Sequence, residues 1–236
     1  MAILAMMPRL VLQRAVLRRY GAQWRANNGR LSRTPPYSSI QLGNYIDDRI
    51  AESLSQMLGS ITICNPSSSE ALLPPEPDCV EKRNIRVVGG VRPQNFDVCY
   101  RPDGVRFASD SKTLNDKKSV GKNWQNMIND LATEATTVHT RFPFAVVAFI
   151  VACPEPAVGN YQRRSMIGTL ERLTGREGID DPPHLAEANS LVLWNPANGR
   201  IDNQNPAPNS PLRIEKFSQF VEKAYVNRYK GLPPHV

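Results

Sequence analysis

Two aspartates and a lysine stand apart by type and spacing: Asp97, and thirteen positions on, the run Asp110-Ser111-Lys112. Carboxylates are hard oxygen donors, and one or two of them with waters and a substrate phosphate are a usual setting for Mg²⁺. Such an ion activates a water and neutralises charge building on a phosphodiester in the transition state. A lysine beside it can orient or deprotonate that water, or stabilise the developing charge.

The segment NFDVCYRPDGVRFASDSKT, residues 95–113, has to bring these groups together. Asp103-Gly104 is a two-residue turn signal of the kind that needs positive φ. Centring a β-hairpin there sets Asp97 opposite Asp110 and Asn95 opposite Lys112. Alternation along a strand then gives one charged face, with Asn95, Asp97, Cys99, Arg101, Arg106, Ala108, Asp110 and Lys112. The other face is mostly apolar, with Phe96, Val98, Tyr100, Val105 and Phe107. Directly opposed carboxylates repel. A fold that keeps them opposed needs a cation between them, either Lys112 or a divalent ion. Pro102-Asp103 is a second acid candidate, but its place in the turn separates it from Lys112.

Around the hairpin the apolar pattern predicts further elements. SSIQLGNYIDDRIAESLSQMLGS reads as a helix with Ile46, Ile50, Leu54 and Met57 on one stripe and Gly59 as its stop. The proline- and serine-rich stretch NPSSSEALLPPEPDC reads as a loop. RNIRVVGGVR is a strand candidate ahead of the hairpin. SVGKNWQNMINDLATEATTVHTRF is a helix whose Trp124, Met127, Ile128, Leu131, Ala135 and Val138 trace one apolar stripe. FAVVAFIVAC is an unbroken, β-branched run, the signature of a strand buried on both faces. YQRRSMIGTLERLTG, NSLVLWN and PLRIEKFSQFVEKAYVNRY read as helix, strand and helix. The fold class expected is α/β, a mixed central sheet flanked by helices.

Asp97 with Asp110-Ser111-Lys112 at a strand end resembles the PD-(D/E)XK nuclease motif, and SDSKT is similar to its form in type II restriction endonucleases. The order helix, three strands, helix, strand is also that superfamily's core, an αβββαβ unit over roughly residues 40–153. Phe96 stands where the motif's proline would be. The resemblance implies that Asp97 and Asp110 bind Mg²⁺, with the Ser111 carbonyl as a further ligand. It implies that Lys112 contacts the scissile phosphate or the attacking water. On the first helix, Asp48 and Glu52 are candidates for an extra metal carboxylate, although both point away from the apolar stripe. Lys117, Lys118 and Lys122, with Asn123 and Asn126, stand where DNA phosphates or base edges would be met. Arg163 and Arg164 are a further basic pair. His139 and His184 lack partners at ligand spacing and are not read as catalytic.

Composition narrows the classes. The 41% hydrophobic and 22% charged fractions are those of an ordinary globular protein. The longest apolar run, Phe144 to Cys153, is too short for a membrane helix. Nucleotide-binding loops and serine-hydrolase elbows are absent from the sequence. The four cysteines show no Cys-x-x-Cys pair, and they read as neither a zinc site nor a disulfide framework, which fits a reducing compartment. The net charge of +7 resides at the start: residues 1–46 hold seven arginines and neither lysine nor acid. Residues 1–38 therefore read as a basic arm, and the resemblance implies that 39–236 is a single nuclease domain. Three readings of the arm stand: a phosphate-binding arm, a solvated tail or a mitochondrial presequence.

The expectation is a Mg²⁺-dependent endonuclease acting on double-stranded DNA, a type II restriction enzyme in a prokaryotic cytoplasm, homodimeric if its target is palindromic. The alternatives are a structure-specific repair or recombination nuclease of the same fold, placed in mitochondria if the arm is a presequence, and a non-catalytic DNA-binding protein.

Overall fold

Ser38 starts the first long helix with a closed capping box. Its hydroxyl accepts from the Gln41 N–H, and the Gln41 side chain accepts from the Ser38 N–H. The helix, α2 (Ser39–Met57), buries Ile46, Ile50, Leu54 and Met57. Gly59 beyond it has a φ of 89°, the left-handed conformation that ends helices. α3 (Val120–Arg141) buries its apolar stripe as the periodicity requires.

The computed structural model describes residues 4–235. Six strands form one mixed sheet in sequence order: β1 (Thr62–Cys64), β2 (Cys79–Val88), β3 (Pro93–Tyr100), β4 (Phe107–Thr113), β5 (Val146–Pro154) and β6 (Ala188–Trp194). β2, β3 and β4 run antiparallel. β4, β5 and β6 run parallel, with α3 and α4 (Asn160–Arg172) as their crossovers. α5 (Ile214–Tyr229) packs on β5 and β6. The architecture is α/β with a mixed sheet flanked by helices, as expected. Every residue of β5 is buried, which is what a strand covered on both faces requires. The carboxyl ends of β4, β5 and β6 share one edge, the place where parallel strands leave a crevice for ligands.

The hairpin has the expected register: Val98 pairs with Ser109, Cys99 with Ala108 and Tyr100 with Phe107. The connection is longer than a two-residue turn. It spans residues 101–106, because Arg101 and Arg106 leave the ladder to bind acids. Arg106 holds Asp103. Arg101 reaches the fully buried Glu81 in a fork of 2.6 and 2.7 Å.

Two expectations are corrected. Residues 4–38 are no free arm. α1 (Arg14–Ala26) and its flanks bury Met7, Leu10, Leu12, Leu17, Tyr20, Trp24 and Leu31 in the common core. Pro8 accepts hydrogen bonds from Ser53 and Ser218. The apolar residues between the arginines fix this, while all seven arginines stay exposed. Residues 1–3 of that segment lie outside the described residues. Second, Cys64 and Cys79 form a disulfide, with Cα atoms 6.2 Å apart. The short β1 strand, parallel to β2, aligns Thr62 with Cys79 and so brings the two cysteines together across a gap of fifteen positions. Cys99 and Cys153 are free and buried.

Removing one member of a buried ion pair strands the other charge, at a cost of about 3–5 kcal/mol. Arg101→Ala is therefore expected to lower the free energy of unfolding by an amount of that order, measured by urea denaturation. Glu81→Leu/Arg101→Met should recover most of the loss, since no charge is then left unpaired.

Candidate active site

Regular pairing between β3 and β4 stops at Val98 and Ser109. One residue further along, the Asp97 carboxylate turns towards the opening and accepts from the Ser111 N–H at 3.4 Å. On the other side of β3, Lys82 pairs with Val98 and Ile85 with Phe96, so Arg83 and Asn84 together oppose Asp97. Both residues of this β-bulge have positive φ, 76° and 54°. A non-glycine residue in that region carries strain, and bulges serve to re-aim side chains beside active sites. Here the bulge curls Lys82 and Arg83 onto Asp48, each at 2.8 Å.

Asp97 and Asp110 meet carboxyl to carboxyl. Lys112 forms ion pairs with Asp110 and, at 3.0 Å, with Glu134 of α3. Asp47 of α2 completes the group: it is buried, within electrostatic reach of both Asp97 and Asp110, and its Oδ1 has no hydrogen-bond partner. Four carboxyl groups thus share one ammonium, with Arg83 acting on Asp47 from the side. Burial, reinforced by Asp110, pushes the Asp97 carboxyl up to about 9. Burial likewise raises Asp47 to about 7 and Glu134 to about 7, the latter against the pull of Lys112. Burial works against the Lys112 ammonium, but Asp110 and Glu134 overcome it and hold its pKa above the usual lysine value. Lys112 is a fixed cation at any ordinary pH, suited to holding charge rather than to taking a proton.

Of the residues predicted from sequence, Asp97, Asp110, Ser111 and Lys112 are brought together. Asp103 is not, being paired with Arg106 and away from the cluster. Asp48 and Glu52 are taken up by other partners, Asp48 by Lys82 and Arg83, Glu52 by Arg49. Lys117, Lys118, Lys122, Asn123 and Asn126 are exposed. Arg163 lies near Glu155 and Asp202, at 4.0 and 3.9 Å. His139 is buried between the Pro183 carbonyl and Glu187. Asp47 and Glu134 were not singled out, yet each leaves a trace in the sequence. Asp47 stands three and seven positions before Ile50 and Leu54, and Glu134 three after Leu131 and four before Val138. Each is an acid inside the apolar stripe of its helix, where burial without a partner is costly.

A hard cation fits this donor set in kind: oxygen ligands only, excess negative charge, and an unpartnered buried carboxylate oxygen on Asp47. Among the described residues, no group of three or more His, Cys, Asp or Glu side chains is arranged to hold a metal ion. Asp97 and Asp110 would be the protein's share, the rest falling to water and substrate oxygens. No helix among the described residues is long and apolar enough to cross a membrane. Comparison with protein-family models, curated proteins and solved structures finds no match to this chain.

An acid whose folded pKa lies above its unfolded value binds a proton more tightly when folded. The resulting stability is complete below about pH 4 and is lost as pH rises towards about 9. Asp97→Asn mimics the protonated form at every pH. Its melting temperature should therefore exceed that of wild type by a margin that grows from about pH 5 to about pH 9 without divalent ions. A margin independent of pH would contradict the strained-carboxyl account.

Proposed function

We propose that the protein is a Mg²⁺-dependent endodeoxyribonuclease that hydrolyses phosphodiester bonds of double-stranded DNA, a type II restriction endonuclease being the form its motif resembles most. The observation that carries this reading is the crowding of Asp97 against Asp110 at the opening between two strands, beside a lysine held permanently charged. Such crowding is unfavourable in the protein alone and is relieved by a cation between the two acids.

Hydrolysis joins a water oxygen to phosphorus, breaks one P–O ester bond, and delivers a proton to the leaving oxygen. Mg²⁺, when bound, would supply an activated water and charge neutralisation. Asp97 and Asp110 would hold it, with the Ser111 carbonyl available as a further oxygen donor. The Ser111 N–H fixes the Asp97 carboxylate by a hydrogen bond. Lys112, steered by Asp110 and Glu134, presents its charge to the non-bridging phosphate oxygens. Asp47, buried within electrostatic reach of Asp97 and Asp110, adds to the negative potential that attracts the cation once it is ionised. Because Asp97 must lose its proton to ligate, cation and proton compete.

Plasmid DNA incubated with the full chain and millimolar Mg²⁺ is expected to be cut, and EDTA to stop the cutting. Asp110→Ala and Lys112→Ala should each lower the rate by at least about 100-fold while the folded structure persists by circular dichroism. Full activity in either variant would overturn the assignment. Discrete fragments would mark a sequence-specific enzyme, whereas a smear or cutting at branches would mark a repair nuclease. DNA binding without cleavage under any divalent ion would leave a non-catalytic DNA-binding protein. Metal-dependent activity should also rise with pH from about 7 to about 9, as Asp97 loses its proton.

A further inference from the structure

Beyond the end of β4, the chain from Thr113 to Ser119 runs under the turn that follows α1. The Lys117 N–H donates to the Gly29 carbonyl at 2.9 Å, and Arg30 bridges to Asp116. Gly29 has a φ of 86°, and a Cβ there would lie 3.1 Å from the Lys117 Cβ, so the two segments are seated closely. The Trp24 indole N–H donates to the Asn115 carbonyl at 2.8 Å. Between them lies a groove of about 180 Å³ that reaches the start of α3 at Ser119 and Asn123.

Two independent features give this groove an anion-binding character. Asn115 lines it with a side chain only 6% exposed, and neither its Nδ2 nor its Oδ1 has a hydrogen-bond partner. A buried amide without a partner is uncommon in native proteins, and its Nδ2–H₂ is the end able to donate to an anion. The rim, meanwhile, is cationic. Arg30 and Arg33 line the groove, and α3 opens on it with no acid in its first turn. Asp116 is the one carboxylate present, and it engages Arg30 at 3.8 Å, leaving the Arg33 charge in excess.

We propose that this groove binds a backbone phosphate of the DNA strand close to the one cut at Asp97, Asp110 and Lys112, with the Asn115 amide and the Arg30 and Arg33 guanidiniums as its ligands. The proposal rests on the nuclease reading for the identity of the polyanion. Asn115 follows Lys112 by three residues, about 10 Å of extended chain. A DNA strand advances ~3.4 Å per nucleotide, which places the second phosphate within about three nucleotides of the first. The N-terminal segment then has a defined task. Its apolar residues dock it on the body so that two of its arginines stand at a fixed distance from the catalytic lysine.

The test is fluorescence anisotropy of the full chain with a labelled duplex, in EDTA and with Ca²⁺, across ~50 to ~200 mM salt, run beside the Mg²⁺ cleavage assay. Arg30→Ala/Arg33→Ala should reduce the slope of log affinity against log salt by about 0.9, the share of the one phosphate they hold. Arg172→Ala/Lys223→Ala, an equal charge change at exposed positions outside the groove, should leave the slope within about 0.5 of wild type. Asn115→Asp, with an unchanged melting temperature, should weaken binding at least ~10-fold by placing an anion against the phosphate. If the arginine pair leaves the slope at the control value, the groove assignment is wrong even where cleavage is intact. If the slope drops as expected but nothing is cut under any divalent ion, the groove stands and the nuclease reading falls. If no duplex binding occurs, both fall.

Discussion

Mutual repulsion among four acids, three buried and one half-buried, held in check by a single lysine, is the constraint around which the rest of this fold is arranged. Asp97 and Asp110 come from neighbouring strands, Asp47 from the helix before the sheet and Glu134 from the crossover helix between β4 and β5. Each arrives by a different route, and each is buried or half-buried on arrival. A charge held in so little water costs more than the fold can recover by packing. The site therefore keeps protons on some of these acids near neutral pH, with Lys112 as the counter-charge. A structure selected for stability alone would have apolar residues here.

The surrounding scaffold explains how such an arrangement persists. β5 is buried along its whole length beside β4, and the β4–β5 ladder runs through Asp110, Ser111 and Lys112 without interruption. That side of the hairpin is rigid. On the other side, the ladder between β3 and β4 ends early, and the Arg83-Asn84 bulge bends β2 opposite Asp97. The opening is thus made by one stiff strand and one deflected strand. The Glu81–Arg101 fork anchors the deflected side by tying β2 to the loop after β3. A second buried carboxylate, Glu187, gathers His139, Arg176 and Arg228 at the ends where β5 and β6 begin, away from the acidic cluster. There, cations outnumber the acid and hold its pKa down despite burial. Opposite charge imbalances at the two ends of the parallel strands leave the carboxyl end as the one able to attract a cation.

The N-terminal segment shows how composition misleads when charge and apolarity are interleaved. Seven arginines without an acid read as a detached arm, yet Leu10, Leu17, Tyr20 and Trp24 lie between them at core-building positions. Packing of those side chains outweighs the cost of gathering like charges, because every guanidinium remains in water. The disulfide was missed for a related reason. Cys64 and Cys79 are distant in the chain and flank a loop, and only the parallel alignment of a three-residue strand makes them neighbours.

Local rules were enough for the long helices, the fully buried strand and the register of the hairpin, since each follows from periodicity within a dozen residues. They also sufficed to bring Asp97, Asp110 and Lys112 onto one side of a ribbon, because strand parity is set by adjacent residues. Asp47 and Glu134 left only a faint mark, an acid on an apolar stripe, whose meaning depends on what the stripe packs against. The bulge, the early parting of β3 from β4, the bridged cysteines and the groove beneath Trp24 arise from contacts between segments far apart in the chain. Such contacts are decided by which arrangement buries the most apolar surface at the least electrostatic cost, a global balance that no window of sequence contains.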